Sequence, residues 1–220
     1  MTAVDKKYAI NPSLRFPGVD LAWKARNLGD VCKIRTGKLD ANAASAAGQY
    51  RFYTCAKSYL MIDEYAFDTE ALLISGNGAG VGYVHYFHGK FNAYQRTYVL
   101  DGFSEAINFV QFQLETKLRK RIQMESKAGN IPYIVMDTLT GMRLSLPTLP
   151  EQRKIADFLT AVDGRIGQLI QKKALLEDYK KGVMQQLFTQ ALRFKDDHGN
   201  DFPEWEEKTL GEVCSFLKDG

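Results

Sequence analysis

Leu146-Pro147-Thr148-Leu149-Pro150-Glu151-Gln152-Arg153-Lys154-Ile155 opens the segment whose reading decides the fold. Thr148 and Glu151 stand three apart with Pro150 in the first turn, the pattern of a capping-box helix start. From Ile155 onward the apolar residues Ile155, Leu159, Val162, Ile166, Leu169, Leu176, Val183 and Leu187 follow alternating steps of four and three, with Lys173 and Lys180 at the two remaining positions. That is a heptad seam, and it predicts a helix over 150–188, roughly 58 Å long at ~1.5 Å per residue. Such a rod must bury its stripe against another long helix. Gly164, Gly167 and Gly182 each weaken helicity by about 1 kcal/mol. A partner is therefore expected to hold the helix straight, with close approach at the glycines.

Upstream of the helix the pattern changes. Ala71–Ser75, Tyr83–Phe87, Thr97–Leu100 and Ile131–Val135 are short, rich in β-branched and aromatic residues, and bounded by Gly, Asn or Asp, which predicts strands. Glu105 to Lys120 places Ile107, Phe109, Val110, Phe112, Leu114 and Leu118 at helical spacing. The fold class expected is α+β, a mixed, mainly-β domain over 1–147 followed by one long coiled-coil helix over 148–193. Residues 194–220 carry a second signal. Trp23, L-G-D-V-C at 28–32 and L-R-F-P at 14–17 recur as Trp205, L-G-E-V-C at 210–214, L-R-F at 192–194 and F-P at 202–203. From Trp onward the two stretches align at a constant offset of 182 residues. This is a domain-sized repeat whose second copy is cut short, and a stub of that length buries too little surface to fold by itself. It is expected to be loosely ordered, or docked on a partner chain.

The chain has 220 residues, 45% of them hydrophobic and 25% charged, enough to bury a core. No apolar run reaches the ~18 residues of a membrane span, and the N-terminus lacks a secretory signal pattern, so a cytoplasmic location is expected. Cys32, Cys55 and Cys214 form no C-x-x-C pair and read as thiols in a reducing compartment. Residues 1–150 hold 18 Lys+Arg against 13 Asp+Glu, 151–193 hold 8 against 5, and 194–220 hold 3 against 8. The body is thus basic and the tail acidic, and a basic face suits a polyanion such as nucleic acid.

The chemical motifs narrow the choice. The run Gly76-Asn77-Gly78-Ala79-Gly80-Val81-Gly82 matches neither G-x-G-x-x-G nor G-x-x-x-x-G-K-[ST]. It reads as a tight turn or as a loop whose backbone comes close to nucleic acid. His85 and His88 lack a third ligand, so no metal site is expected. Asp63 and Glu64 are adjacent, so they point to opposite sides of a strand. No catalytic constellation emerges. Gly89-Lys90-Phe91-Asn92-Ala93-Tyr94-Gln95-Arg96, by contrast, interleaves cations, aromatics and amides. Arg forks onto guanine, Asn and Gln onto adenine, and aromatics stack or pack on sugar. The cluster Lys117-Leu118-Arg119-Lys120-Arg121, with Lys127 and Asn130 beyond it, suits phosphates, which fix position without reading sequence.

Taken together, L-P-T-L-P-E-Q-R-K-I, the heptad helix, L-R-F and F-P-x-W resemble the central conserved region of type I restriction-modification specificity subunits. F-P-G-x-x-x-x-W with L-G-D-V-C looks like the start of their first target recognition domain, and L-G-E-V-C like the start of the second. The resemblance extends over essentially all of the chain. It implies a DNA target recognition domain over 1–147, a conserved helix, and a non-catalytic subunit of a complex that methylates adenine and cleaves DNA. Such a subunit reads one half of a bipartite site in double-stranded DNA. Its long helix docks methyltransferase subunits, which bring S-adenosylmethionine, and a motor-nuclease subunit joins for restriction. No cofactor is expected in this chain. Candidate DNA-binding residues are Arg35, Lys38, Ser75, Asn77, Lys90, Asn92, Tyr94, Gln95, Arg96, Lys120, Lys127 and Asn130. Candidate helix-pairing residues are the eight apolar seam positions given above. With one recognition domain and one helix, two copies are expected to pair antiparallel through their seams and read a gapped palindrome. The competing readings are a coiled-coil assembly module that binds protein, and a nucleotide-using enzyme built on the glycine-rich loop.

Overall fold

The structure is a computed structural model that describes residues 12–18, 21–125 and 132–214. They form two compact units, one ending at Val162 and the other starting at Asp163.

In the first unit, strands β2 (Lys33–Thr36), β3 (Tyr50–Tyr53), β4 (Leu60–Ile62), β5 (Phe67–Ser75), β6 (Val84–Ala93) and β7 (Thr97–Asp101) form one sheet. Their order is β2-β7-β5-β6-β3-β4. All neighbours run antiparallel except β3 and β6, which are parallel. The apolar run Ala71-Leu72-Leu73-Ile74 occupies the centre and is buried on both faces, so it lacks the polar alternation of a half-solvated strand. Leu72 and Ile74 join Val84, Leu100 and the helix α1 (Ile107–Glu125), whereas Ala71 and Leu73 join Tyr53, Phe91 and Val99 on the opposite face.

α1 packs through Phe109, Val110, Leu114, Leu118 and Ile122, each buried. Full burial of such side chains stabilises by ~1.5–3 kcal/mol apiece. A smaller sheet pairs β1 (Lys24–Asn27) with β8 (Arg143–Leu146). Beside it the first repeat copy is absorbed into the core: Leu28 and Val31 are buried, and Trp23 meets the Phe109 ring edge-on at 5.9 Å. The three central strands expected from sequence form with longer bounds. The strand expected at Ile131–Val135 does not form. Ile131 lies outside the described residues, Tyr133 makes an isolated bridge to Asn77, and the short helix α2 (Met136–Thr140) follows. The backbone there is otherwise engaged, since Ile134 N donates to Gly76 O and Ile134 O accepts from the Tyr98 hydroxyl.

The long helix α3 (Leu149–Phe188) matches the predicted span closely. Its first turns belong to the first unit. Gln152 is fully buried and makes three bonds: Nε2 donates to Glu105 Oε2 and Pro147 O, and Oε1 accepts from Ala106 N. Glu151, read from sequence as the far member of a capping box, instead has both carboxylate oxygens held by Arg15. Ile155 and Ala156 pack on the same core. The first compact unit therefore ends inside the helix, at Val162.

In the second unit α3 continues and the chain then turns. Arg193 donates to Glu204 Oε1 and to the carbonyls of Phe202 and Pro203. Lys195 and Asp201 bridge, and Phe188 meets Trp205 at 6.2 Å. A short helix α4 (Leu210–Val213) is capped by Thr209 and Glu212. The matching turn at Leu28–Asp30 is capped by Asn27 and Asp30. Both repeat copies thus make the same local turn, but Trp205, Leu210 and Val213 stay exposed where Trp23, Leu28 and Val31 are covered.

Candidate nucleic-acid interface

The sheet has one end at which four connections meet: residues 37–40 after β2, 54–57 after β3, the glycine-rich loop 76–82 after β5, and the turn 94–96 between β6 and β7. Backbone bonds lock them together. Gln95 N donates to Leu39 O at 2.9 Å, Tyr94 N to Tyr53 O at 2.9 Å, Gly76 N to Arg96 O at 2.9 Å, and Gly37 N to Thr97 O at 3.2 Å. The packing leaves no room for a side chain at Gly76, where a Cβ would lie 2.2 Å from Arg96 O. Gly76 and Gly80 thus serve a close approach of backbone to backbone, a Cβ at Gly80 lying 2.3 Å from Cys55 O. The Cys55 thiol donates to Arg96 O at 3.4 Å, tying a third loop to the same turn.

This platform brings Lys38, Asn77, Tyr94, Gln95 and Arg96 to one end of the sheet. Lys38, Gln95 and Arg96 are exposed, and Asn77 and Tyr94 half-buried. Gln95 and Arg96 rim a polar cavity of about 230 Å³ with Gly76, Tyr98 and Ile134. Lys57, which the sequence reading passed over, joins from the 54–57 connection. A lone lysine in A-K-S-Y carries no pattern, so only the loop packing reveals it.

The other candidates lie elsewhere. Ser75 is fully buried and cannot reach a ligand from its place at the end of β5. Asn92 is buried too: its Nδ2 donates to Glu64 O and its Oδ1 accepts from Ala93 N, a structural role that uses its amide. Both side chains are turned into the core near the ends of the central strands β5 and β6. Lys90 is exposed on β6 with its Nζ 4.6 Å from the Tyr65 ring centroid. Arg35 is exposed but paired with Asp101, its guanidinium 5.1 Å from the Phe67 ring centroid. Lys120 is exposed on α1. Lys127 and Asn130 lie outside the described residues. The run 89–96, contiguous in sequence, is thus split between a strand and a turn.

Beyond the rim, Arg51 sits between the rings of Tyr59 and Phe87, at 4.4 and 4.6 Å. Beside it Tyr83 and His85 are in edge contact at 4.7 Å, and His85 Nε2 donates to Ala56 O at 3.0 Å. Burial holds the His85 pKa below its ordinary value, which favours the neutral ring. Burial, with the Asp101 carboxylate nearby, pushes the Cys32 thiol up to about 12. It is an inert core thiol. Among the described residues no group of three or more His, Cys, Asp or Glu side chains is placed to hold a metal ion, and no helix is long and apolar enough to cross a membrane.

The seam residues of α3 divide. Ile155 packs on the first unit's core, and Leu159, Val183 and Leu187 are half-buried. Val162, Ile166, Leu169 and Leu176 remain 40 to 55% exposed. Such a row of half-open apolar side chains is what a helix shows before it meets another. A Cβ at Gly164, Gly167 or Gly182 would meet nothing within 4 Å.

These features define a class, an α+β domain of mixed sheet and packed helix carrying a loop platform and continued by one long helix. Residues 21–178 match the family described as the type I restriction modification DNA specificity domain, and the chain belongs to that family. It is 38% identical over 186 residues to the type I restriction enzyme EcoDI specificity subunit of Escherichia coli, a match covering 84% of this chain and 40% of that protein. The MjaVIII specificity subunit of Methanocaldococcus jannaschii is 26% identical over 212 residues, covering 88% of this chain and 49% of the relative. Among solved structures, the S subunit of a type I restriction-modification system from M. genitalium superposes with a TM-score of 0.62 at 17% identity, over 86% of this chain and 50% of that one. The HsdS subunit from Thermoanaerobacter tengcongensis gives 0.54 at 16% identity, over 82% and 47%. The chain thus spans about half the length of these relatives or less.

Proposed function

We propose that this chain recognises double-stranded DNA for a type I restriction-modification complex in the cytoplasm. It reads one half of a bipartite target and docks methyltransferase subunits through α3. The observation that carries this reading is the convergence of Lys38, Asn77, Tyr94, Gln95 and Arg96 on one backbone-locked end of the sheet. That end offers amides and a guanidinium suited to base edges. Exposed cations such as Lys90 and Lys120 suit phosphates, and Lys127 and Asn130 extend the expected set. Adenine methylation, S-adenosylmethionine binding and cleavage belong to the partner subunits in this scheme. The test is methylome mapping of cells that carry this gene with its methyltransferase gene. A single methylated motif, lost with this gene, is expected; methylation without any motif contradicts the reading.

The open seam supports a second element of the proposal, the pairing of α3 with another long helix. In two copies of this chain the helices run antiparallel, glycines 164, 167 and 182 permitting close approach, and the bound site becomes a gapped palindrome. A strictly monomeric species in sedimentation at tens of micromolar contradicts this pairing. If the chain were only an assembly module, it would bind its partners but show no salt-dependent affinity for duplex DNA.

A further inference from the structure

Between the glycine-rich loop and α1 runs a groove of about 770 Å³ that no residue of the proposed base-facing set lines. Lys57 and Tyr83 form one wall, Arg119 and Gln123 the other, and Val81 and Ile122 lie at the floor. Lys57 and Arg119 are both exposed, and Lys57 Nζ lies 6.0 Å from the Tyr83 ring centroid. Gly82 has φ +79°, and a Cβ there would come 2.7 Å from Ile122 Cδ1, so the loop packs against the side chains of α1. One acid, Glu115, shares the lining with the two cations.

The groove is continuous with the platform. Lys57, Ala79 and Gly80 also line a neighbouring cavity with Thr54, Cys55 and Tyr94, the residue that starts the 94–96 turn. Lys57 lines both cavities, so it stands between the Tyr94 side of the platform and Arg119 on α1. Cations on two facing walls above an apolar floor match one ligand shape in particular. A sugar-phosphate strand places charged phosphates along its edges and an uncharged deoxyribose between them.

We infer that this groove seats one sugar-phosphate strand of duplex DNA, with Lys57 and Arg119 taking phosphates from opposite walls. The strand is thereby held beside the 94–96 turn, and the turn is set against the base edges. This rests on the DNA-recognition reading and deepens it by assigning two positioning residues that do not read sequence.

The test is the salt dependence of binding to a fluorescein-labelled random-sequence duplex, measured by anisotropy with the full chain assembled with its methyltransferase partner. Each phosphate contact contributes about 0.9 to the slope of log affinity against log salt. Lys57→Ala and Arg119→Ala are each expected to lower the slope by about 0.9, and the double variant by about 1.8. Lys57→Arg and Arg119→Lys keep the wild-type slope, because a cation remains. Lys172→Ala, an exposed lysine on α3, also leaves it unchanged. Unchanged slopes in both alanine variants, with Arg96→Ala still weakening binding to a duplex that carries the methylated motif, overturn the groove and leave the recognition reading standing. A fall in only one variant overturns the two-walled grip. Failure of the wild-type assembly to bind any duplex removes both.

Discussion

Arg15 and Glu151, 136 positions apart, form a two-pronged ion pair in which Nε and Nη2 donate at 3.0 and 2.7 Å to the two oxygens of a carboxylate that is 1% exposed. This pair anchors the leading L-R-F segment onto the first turn of α3, and Phe16 adds an edge contact to Phe158 at 6.4 Å. Removing the guanidinium leaves a buried, unpaired charge. Arg15→Ala should therefore cost about 3–5 kcal/mol, and Glu151→Gln less, because an amide needs less solvation than a carboxylate. Urea unfolding monitored by tryptophan fluorescence measures both. Equal stability of Arg15→Ala and wild type would show the pair to be idle.

Arg96 stands on the exposed turn where four loops are tied. Arg96→Ala is expected to weaken binding to the methylated motif's unmodified duplex by about 1–3 kcal/mol while leaving random duplex nearly unaffected, if the guanidinium forks a guanine. Lys120→Ala should weaken both alike, since a phosphate contact carries no sequence information. Competition titrations with the two duplexes separate these outcomes.

The open seam predicts an assembly defect. Leu169→Asp puts a charge in the middle of an apolar row that is half exposed here. It should abolish pairing with a second helix while leaving the first unit's thermal transition in place, because that unit ends at Val162. Sedimentation velocity and calorimetry on the same sample report the two effects separately.

Burial lowers the pKa of His85 in the folded chain, so the unfolded chain binds the extra proton first as pH falls. Stability from the neutral ring is therefore complete above the ordinary histidine value of about 6.5 and declines as pH drops below it. His85→Gln should flatten this decline below about pH 6.5 in urea titrations. A decline identical to wild type would place its source elsewhere.

Cys32 stays protonated at neutral pH because its pKa lies at about 12, whereas Cys214 is exposed. Thiol titration of the native chain should label Cys214 within minutes and Cys32 only after unfolding, and peptide mapping identifies which has reacted.

Much of this architecture is legible in the linear pattern, for reasons that are local. The seam from Ile155 to Leu187 announces α3 because helical period and burial demand coincide, and Ala71 to Ser75 announces a central strand because a two-sided core needs an unbroken apolar run. The repeat of Trp23 and L-G-D-V-C at Trp205 and L-G-E-V-C is visible without coordinates, and each copy builds its capped turn from side chains three positions apart. Other features stay hidden. In sequence Asn92 reads as a candidate DNA contact like Gln95 and Arg96, and only strand register turns it inward to bond Glu64 O. The 131–135 segment has strand composition, yet its backbone is claimed by Gly76 and Tyr98.

What the amino-acid order determined by itself was the central strands, the packed helix α1, the long amphipathic rod and the duplication, because periodicity and capping act over a few residues. Which side chains face outward together was decided by tertiary structure alone. Lys57 reaches the platform, Arg119 faces it across a groove, and Arg15 finds Glu151 through loop closure and strand pairing over tens of residues, and such long-range geometry leaves no trace in local spacing.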